Sequence, residues 1–503
     1  MRLDPHLGGF PLTRVMLLAL LCAPAVGFAQ DGGATAPADQ SDYSTWGDLR
    51  WIGSYVSDFP VDADGTTPGQ TLWLDQRLRA GVGADYGTWG WQIEADVLTG
   101  QLAGPTWDLG SLDERHRDEH GALTLDGLMP RKAFVKGQVG HVELKGGLMT
   151  SHWGLGLLAN DGDHEPLFGR TDLGDRVFRA QATWMPAPTA HGQDVFAAAA
   201  DLVLEDGTAS LYRNQWATQG ILAALHVTPK HGQHGVYVVF RQQWNRDTAR
   251  TLTVGVADGF FDEPVPVGQW KGRIAGEAVG IVGSTDSATT YASPQRTGVL
   301  QGGAVLHASL TCPCDHFHAH LIAGYASGDA NVDDKWNREF TFNSNYDVGL
   351  VLFDQVQGGI DARTYQQLSD PTMAGQAPDG ADQLVREGAV HGATFVQPAV
   401  QFTGIQDVDL RVGGLFAWSS GPYASPWYSF RNGGVATNPY DVPTPGPYLG
   451  TEVDWAVSYA HAVYETLTPS IGVQGGHLFP GPALQGIDKP VISHLMATAR
   501  LRW

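Results

Sequence analysis

Cysteine is nearly absent. The 503-residue chain has three, and one of them, Cys22, lies in an apolar leader, so Cys312 and Cys314 are the pair left to the rest. No disulfide framework holds such a chain together. Charge is also scarce: Asp, Glu, Lys and Arg are 17% of residues, against roughly a quarter in soluble proteins. Cations are the scarcer sign, 31 Lys and Arg against 53 Asp and Glu, for a net charge of −22. That balance excludes nucleic acid as a natural partner. Beyond the leader no apolar run approaches the roughly 18 residues of a membrane-crossing helix, which excludes a helical membrane protein. No Gly-x-Ser-x-Gly elbow is present. The neighbours Ser151-His152 and Ser493-His494 would point to opposite faces of a strand, so neither pair can serve as nucleophile and base, and an enzyme is not expected.

Glycine and tryptophan are plentiful, at 64 and 16 residues. The last ten residues show what they belong to. Leu495, Ala497, Ala499, Leu501 and Trp503 alternate with His494, Met496, Thr498, Arg500 and Arg502. Period two is a strand, one face apolar and the other polar or cationic. A closing strand that ends on an aromatic residue is the expected signature of an outer-membrane barrel, with Trp503 as the assembly signal read by the barrel-assembly machinery.

The expected fold is therefore all-β: a closed antiparallel transmembrane β-barrel of about 16–18 strands, with short periplasmic turns and long extracellular loops. Residues 1–29 read as a signal peptide. Arg2 and Arg14 supply positive charge, Val15 to Val26 is apolar, and Gly27-Phe28-Ala29 places cleavage before Gln30. Residues 30–46 read as a short disordered periplasmic lead, and 47–503 as the barrel. Alternating segments fall at 47–58, 71–82, 88–99, 130–139, 141–150, 176–186, 194–204, 217–228, 235–246, 297–310, 315–327, 389–403, 406–418, 450–461, 468–478 and 492–503. Loops between them are mostly long, then short, in alternation. Two stretches leave the count open. Residues 328–388, which contain the apolar Val348 to Phe353, either fold into the lumen as a plug or constriction loop, or hold a further hairpin; the Gly-rich 247–296 could hold one instead.

Two families are brought to mind by particular stretches. GLMTSHWGLGLLANDG at 147–162, FGRTDLGDRVFR at 168–179 and FTFNSNYDVGLVLF at 340–353 resemble blocks of an uncharacterised myxobacterial-type outer-membrane β-barrel family. LGTEVDWAVSYAH at 449–461 and VQGGHLFPGPAL at 473–484 resemble the last strands of alginate-export-type porins. The resemblance implies a monomeric outer-membrane barrel. It does not imply alginate, since an exporter of that polyanion is expected to have a strongly cationic lumen.

The lumen rows are instead mixed. Candidate pore-lining residues are Asp75, Arg77, Arg79, Glu94, Asp96, Arg179, Glu452, Asp454, Arg500 and Arg502. Facing rows of opposite charge would set a transverse field that filters solutes; alternatively, they are ion pairs that hold the barrel's shape. Trp73 is a candidate sugar-stacking platform. No cofactor is required. His316, His318 and His320, beside Cys312 and Cys314, share one strand face and are candidate ligands for a transition metal. The carboxylates Asp161, Asp163, Glu165, Asp172 and Asp175 could gather Ca²⁺, or simply form a solvated acidic loop. The expected function is passive diffusion of small hydrophilic solutes, with an oligosaccharide-selective channel as the narrower version. The expected surroundings are outer-membrane lipid. The alternative is a structural or adhesive barrel with surface-exposed binding loops and little conductance.

Overall fold

The computed structural model describes residues 42–105, 109, 124–375, 377–385, 390–443, 446–464 and 466–503. The signal peptide and residues 30–41 of the lead lie outside the described residues. The strands are β1 Asp42–Val56, β2 Leu72–Asp85, β3 Trp89–Ala103, β4 Thr124–Val139, β5 Val142–Thr150, β6 Arg176–Trp184, β7 Gln193–Asp206, β8 Ala209–Ser210, β9 Gln215–Val227, β10 Gln233–Asn245, β11 Thr251–Val267, β12 Trp270–Thr285, β13 Thr297–Thr311, β14 Phe317–Ala326, β15 Trp336–Asn337, β16 Ala393–Ile405, β17 Val408–Ser419, β18 Tyr448–Ala460, β19 Thr468–Pro480 and β20 Ile492–Arg502. The two-residue β8 and β15 are adjuncts to β7 and β13. The other eighteen strands, among the described residues, pair antiparallel with their neighbours around a closed ring. Closure joins the ends of the chain: β1 runs against β20 from Asp48 opposite Arg502 to Val56 opposite His494. Gly47 and Trp503 exchange backbone hydrogen bonds at 2.8 and 3.1 Å.

The barrel begins at Asp42 rather than 47, so residues 42–46 are strand and not lead. The stretch 247–296 is not a loop. It carries the whole hairpin β11–β12, closed by the turn at Gly268 and registered from Leu252 opposite Thr285 to Val267 opposite Trp270. This hairpin raises the count to eighteen. All turns at one rim are short, as at 86–88, 140–141 and 406–407, while 151–175, 327–392 and 420–447 lie at the other.

Between the two rims the outward residues are apolar. Leu222, Val238, Phe240, Val282, Leu300, Val412 and Ile471 are all exposed. Aromatic residues gather toward the short-turn rim, among them Tyr43, Trp89, Trp184, Tyr459 and Trp503, and toward the long-loop rim, among them Tyr55, Tyr325, Trp418 and Phe479. Such a surface is stable only in hydrocarbon, with the rings at its two interfaces, and every wall strand has a partner on both sides. The protein is an outer-membrane barrel.

The interior departs from the expected wet lumen. At the long-loop half it is an apolar core. Residues 340–360 enter the barrel and bury Phe340, Phe342, Tyr346, Val348, Leu350, Val351, Leu352, Phe353 and Val356 against inward Val239, Val256, Val279, Val305, Phe395, Leu415 and Ile492 of the wall. Val348 to Phe353 is thus no strand. It leads into a π-helical turn, Leu352–Gln357, continued by helix α1, Gly358–Ser369. Leu368 packs with Trp427, Tyr428 and Phe430 of a second short helix, α2, Pro426–Arg431. The inserted segment is clamped where it rejoins the wall. His391 lies between Glu339, 2.9 Å from Nδ1, and Asp361, 2.9 Å from Nε2. Burial alone would lower the pKa of this imidazole, but the two carboxylates outweigh it and raise it to about 10.

Two outcomes are expected. Ala180 faces lipid and its neighbour Gln181 faces the lumen. Ala180→Arg places a charge in hydrocarbon at a cost of about 2–4 kcal/mol at midplane, so it should abolish the heat-modifiable folded form, while Gln181→Arg should assemble. Because the folded-state pKa of His391 lies above its unfolded value of about 6.5, its contribution is complete below that value and is lost as pH rises through about 10. Protease protection of residues 340–375 should fall across that upper window, and His391→Gln should remove the step.

Candidate functional site

The loop between β5 and β6, residues 151–175, does not stand out in solvent as an acidic loop. It folds into the lumen and presents its carboxylates to the arginine rows of the wall. Those rows arise from strand parity: Arg50 on β1, Arg77 and Arg79 on β2, Arg131 on β4 and Arg500 on β20 all point inward, and β20, β1 and β2 are consecutive in the wall. Asp163 accepts from Arg79 at 2.7 Å, from Arg131 at 3.1 Å and from Lys132 at 3.0 Å. Glu165 meets Arg500 at 2.7 Å and Arg502 at 3.7 Å. The carbonyl of Thr171 accepts from both Arg50 and Arg77, at 2.6 and 3.0 Å. In return Arg170 of the loop donates to Asp75 at 2.7 Å. The remaining donors stay on the wall: Arg79 forks onto Asp96, and Asp48 bridges Arg77 and Arg500. Burial pushes Asp163 and Glu165 up, yet the surrounding guanidinium groups hold both below the ordinary carboxylate range.

The candidate rows are therefore ion-paired, as the shape-holding reading requires, but with a loop rather than only across the wall. Removing one partner would leave a buried charge alone, since Arg131 is fully buried. Arg179 sits apart from this group, forked onto Asp201 with Ser151 at 3.1 Å. Glu452 and Asp454 line no pore. Both are fully buried beneath the inserted segment. Glu452 accepts the backbone N–H groups of Leu350, Val351 and Leu352 at 2.5, 2.8 and 2.8 Å, capping the start of the π-helical turn. Trp73 offers no platform for sugars: it is buried, stacks on His494 and donates to Asp75.

A second glutamate repeats the Glu452 device for the 151–175 loop. Glu277 on β12 accepts from the backbone N–H of Leu155 and, at 3.5 Å, of Leu157. Each anchor faces a left-handed glycine. A Cβ at Gly154 would stand 2.6 Å from Glu277 Oε2, and one at Gly349 would stand 2.8 Å from Glu452 Oε1. The two inserted pieces also hold each other. Asn343 donates to Asp175 at 3.0 Å, Asn345 accepts from the Asp172 N–H at 2.8 Å, and Asp347 accepts from the Arg170 N–H at 2.9 Å. The blocks at 147–179 and 340–353, singled out in the sequence, are one interlocked unit. Arg50, Arg131, Asp48, Glu277 and His391 were missed by sequence reasoning. Arg50 could have been found from its parity opposite Trp51 and Tyr55; Glu277 could not, since Gly and Ala flank it.

Cys312 and Cys314 are disulfide-bonded in the turn between β13 and β14. The three histidines beside them do not converge as metal ligands. His316 is exposed in the turn, His318 pairs with Thr311 at 3.0 Å, and His320 with Gln401 at 3.3 Å. The proposed calcium carboxylates are likewise spent on arginines, asparagines and histidines. Among the described residues, the group whose ligand atoms do converge is His152, Asp161 and His164, all within 4.8 Å of one another.

No family model and no curated protein matches the chain, so membership of neither the myxobacterial-type family nor the alginate-export-type porins is supported. Similar solved structures include Pseudomonas aeruginosa OccK5 (OpdH), with a TM-score of 0.49 and 9% identity over 92% of this chain and 98% of that one. Others are Pseudomonas aeruginosa OccD3 (OpdP), at 0.48 and 11% over 94% and 93%, and Acinetobacter baumannii OccAB1, at 0.48 and 8% over 91% and 96%. At such values the eighteen-strand architecture stands on the wall's own hydrogen-bond register.

Proposed function

We propose that the protein is an outer-membrane channel for passive diffusion of small hydrophilic solutes, narrowed by the inserted 151–175 loop. A wall of this many strands encloses more space than its own inward side chains fill. The observation that carries the reading is that charged groups facing the lumen stay partly exposed on both loop and wall, as far as the short-turn rim. Side-chain exposure is 33% for Asp163, 41% for Glu165 and 51% for Arg502. The lumen at the short-turn rim is polar as well, with Arg273 and Asp262, His318 and His320, Gln401, and Asp409 and Arg411 facing inward. Ionised rows facing each other across a wet gap sort solutes by charge. Oligosaccharide selectivity lacks its aromatic platform, since Trp73 is covered.

The apolar filling around Phe340 to Val356 favours a second reading, a structural or adhesive barrel that conducts little. Planar-bilayer recording separates the two. A channel gives a small, steady single-channel current. Under a salt gradient the double variant Asp163→Asn, Glu165→Gln should shift the reversal potential toward anions, because Arg79, Arg131, Arg500 and Arg502 lose the counter-charges that the loop supplies. Absence of any steady current, in wild type and variant alike, would overturn the channel reading and leave the structural one.

We further propose that β20 with Trp503 is the segment the barrel-assembly machinery engages. Trp503→Ala, which keeps the backbone bonds to Gly47, should reduce folded barrel in cells while leaving refolding into detergent unchanged.

A further inference from the structure

The neck of the inserted loop holds a cluster that neither the wall contacts nor the channel reading uses. His152 opens the loop, and Asp161 and His164 follow on the turn that approaches the arginine rows. Asp161 Oδ1 lies 3.0 Å from His164 Nδ1 and 3.6 Å from His152 Nδ1. The two imidazoles stack with centroids 4.0 Å apart. His152 Nδ1 is buried without a hydrogen bond of normal geometry. Backbone contacts place Asp161 and His152 independently of each other. Asp161 is held by its carbonyl, which accepts from Arg131 at 2.6 Å. His152 follows Ser151, whose N–H donates to the Asp175 carbonyl at 2.9 Å. A close crossing of the two arms of the loop, where a Cβ at Gly174 would stand 2.1 Å from the Asp161 carbonyl, keeps them in register.

We propose that His152, Asp161 and His164 form a binding site for a divalent transition-metal ion of the Zn²⁺, Ni²⁺ or Cu²⁺ class. Two imidazoles and one carboxylate suit these ions, which bind N and O donors at about 2.0–2.2 Å. They do not suit Ca²⁺, which takes six to eight oxygens. The ligand atoms lie within 4.8 Å of one another, and an ion would draw the exposed His164 ring out of the stack so that its nitrogen lone pair meets the ion beside Asp161 and His152. The nearby cations do not repel it outright, because Asp163, Asp96 and Glu94 together neutralise Arg79, Arg131 and Lys132. His164 has a side-chain exposure of 62%, so an ion can arrive through the lumen and keep a water ligand there. Binding would tie the first residue of the loop to its turn and so fix the neck of the constriction.

The test is Zn²⁺ titration of the detergent-purified, full-length barrel by calorimetry, with Co²⁺ absorption as a second readout of nitrogen coordination. One ion per chain is expected. Because His164 is exposed, His164→Ala should fold as wild type by heat modifiability and bind Zn²⁺ at least tenfold more weakly; Asp161→Asn should weaken it further. His320→Ala should bind as wild type. Equal binding by wild type and His164→Ala, or binding lost with His320→Ala instead, would overturn the proposal. So would a Co²⁺ spectrum that shows oxygen ligands alone. None of these readouts depends on the barrel conducting.

Discussion

Whatever enters a closed β-wall must find partners for its backbone there, because the wall's own hydrogen bonds are already taken. An unpaired buried N–H costs about 1–3 kcal/mol. Two inward glutamates meet this constraint. A carboxylate has about four acceptor positions, so Glu452 can take the three successive N–H groups of Leu350 to Leu352 at once. Glu277 does the same for Leu155 and Leu157. The glycines opposite them, Gly349 and Gly154, have φ of +73° and +57°, where a side chain would be both strained and in collision with the carboxylate. Each insertion is thereby tied to one wall position, and the loops are as much part of the fold as the strands.

From those two anchors the interior divides. On the side of β10 to β17 the inserted segment meets Val, Phe and Leu, and the barrel has a packed core of the kind a soluble domain has. On the side of β20, β1, β2 and β4 the loop meets arginines. Guanidinium groups suit this task because their planar fork can serve two acceptors, as Arg79 serves Asp96 and Asp163. The asparagine and aspartate side chains of 343–347 then lock the two insertions together, so neither can move without breaking contacts made by the other.

The split also explains what the sequence disclosed and what it hid. Alternation is visible where the inward face is polar, as in β2, with Arg77 and Arg79 against Leu78 and Ala80, or in β20. It fades where the inward face meets the apolar insertion. In β11 the inward Val254 and Val256 alternate with Gly255 and Ala257, and in β12 the inward Ala275 and Val279 alternate with Gly276 and Ala278; apart from the lone Glu277 both faces there are apolar or small, and period two loses its contrast. The hairpin was therefore legible only as an option. The insertion of 151–175 was illegible for another reason. Its partners are remote: Asp163 and Arg79 are 84 residues apart, and Glu165 and Arg500 are 335 apart. Local pattern shows an acidic loop and a basic strand face, but not that they meet.

In the proposed channel a hydrophilic solute would be confined by the same division. Shedding its hydrogen bonds against the apolar core would cost several kcal/mol per polar group, so the passage left to it would run along the arginine rows, past Asp163, Glu165 and Arg502. There the wall charges are nearly matched by the loop's. A matched pair of rows holds no large net charge to trap an ion, yet offers donors and acceptors at each step in place of water. That is a reason for a channel of this kind to neutralise its arginines with a loop rather than leave them bare.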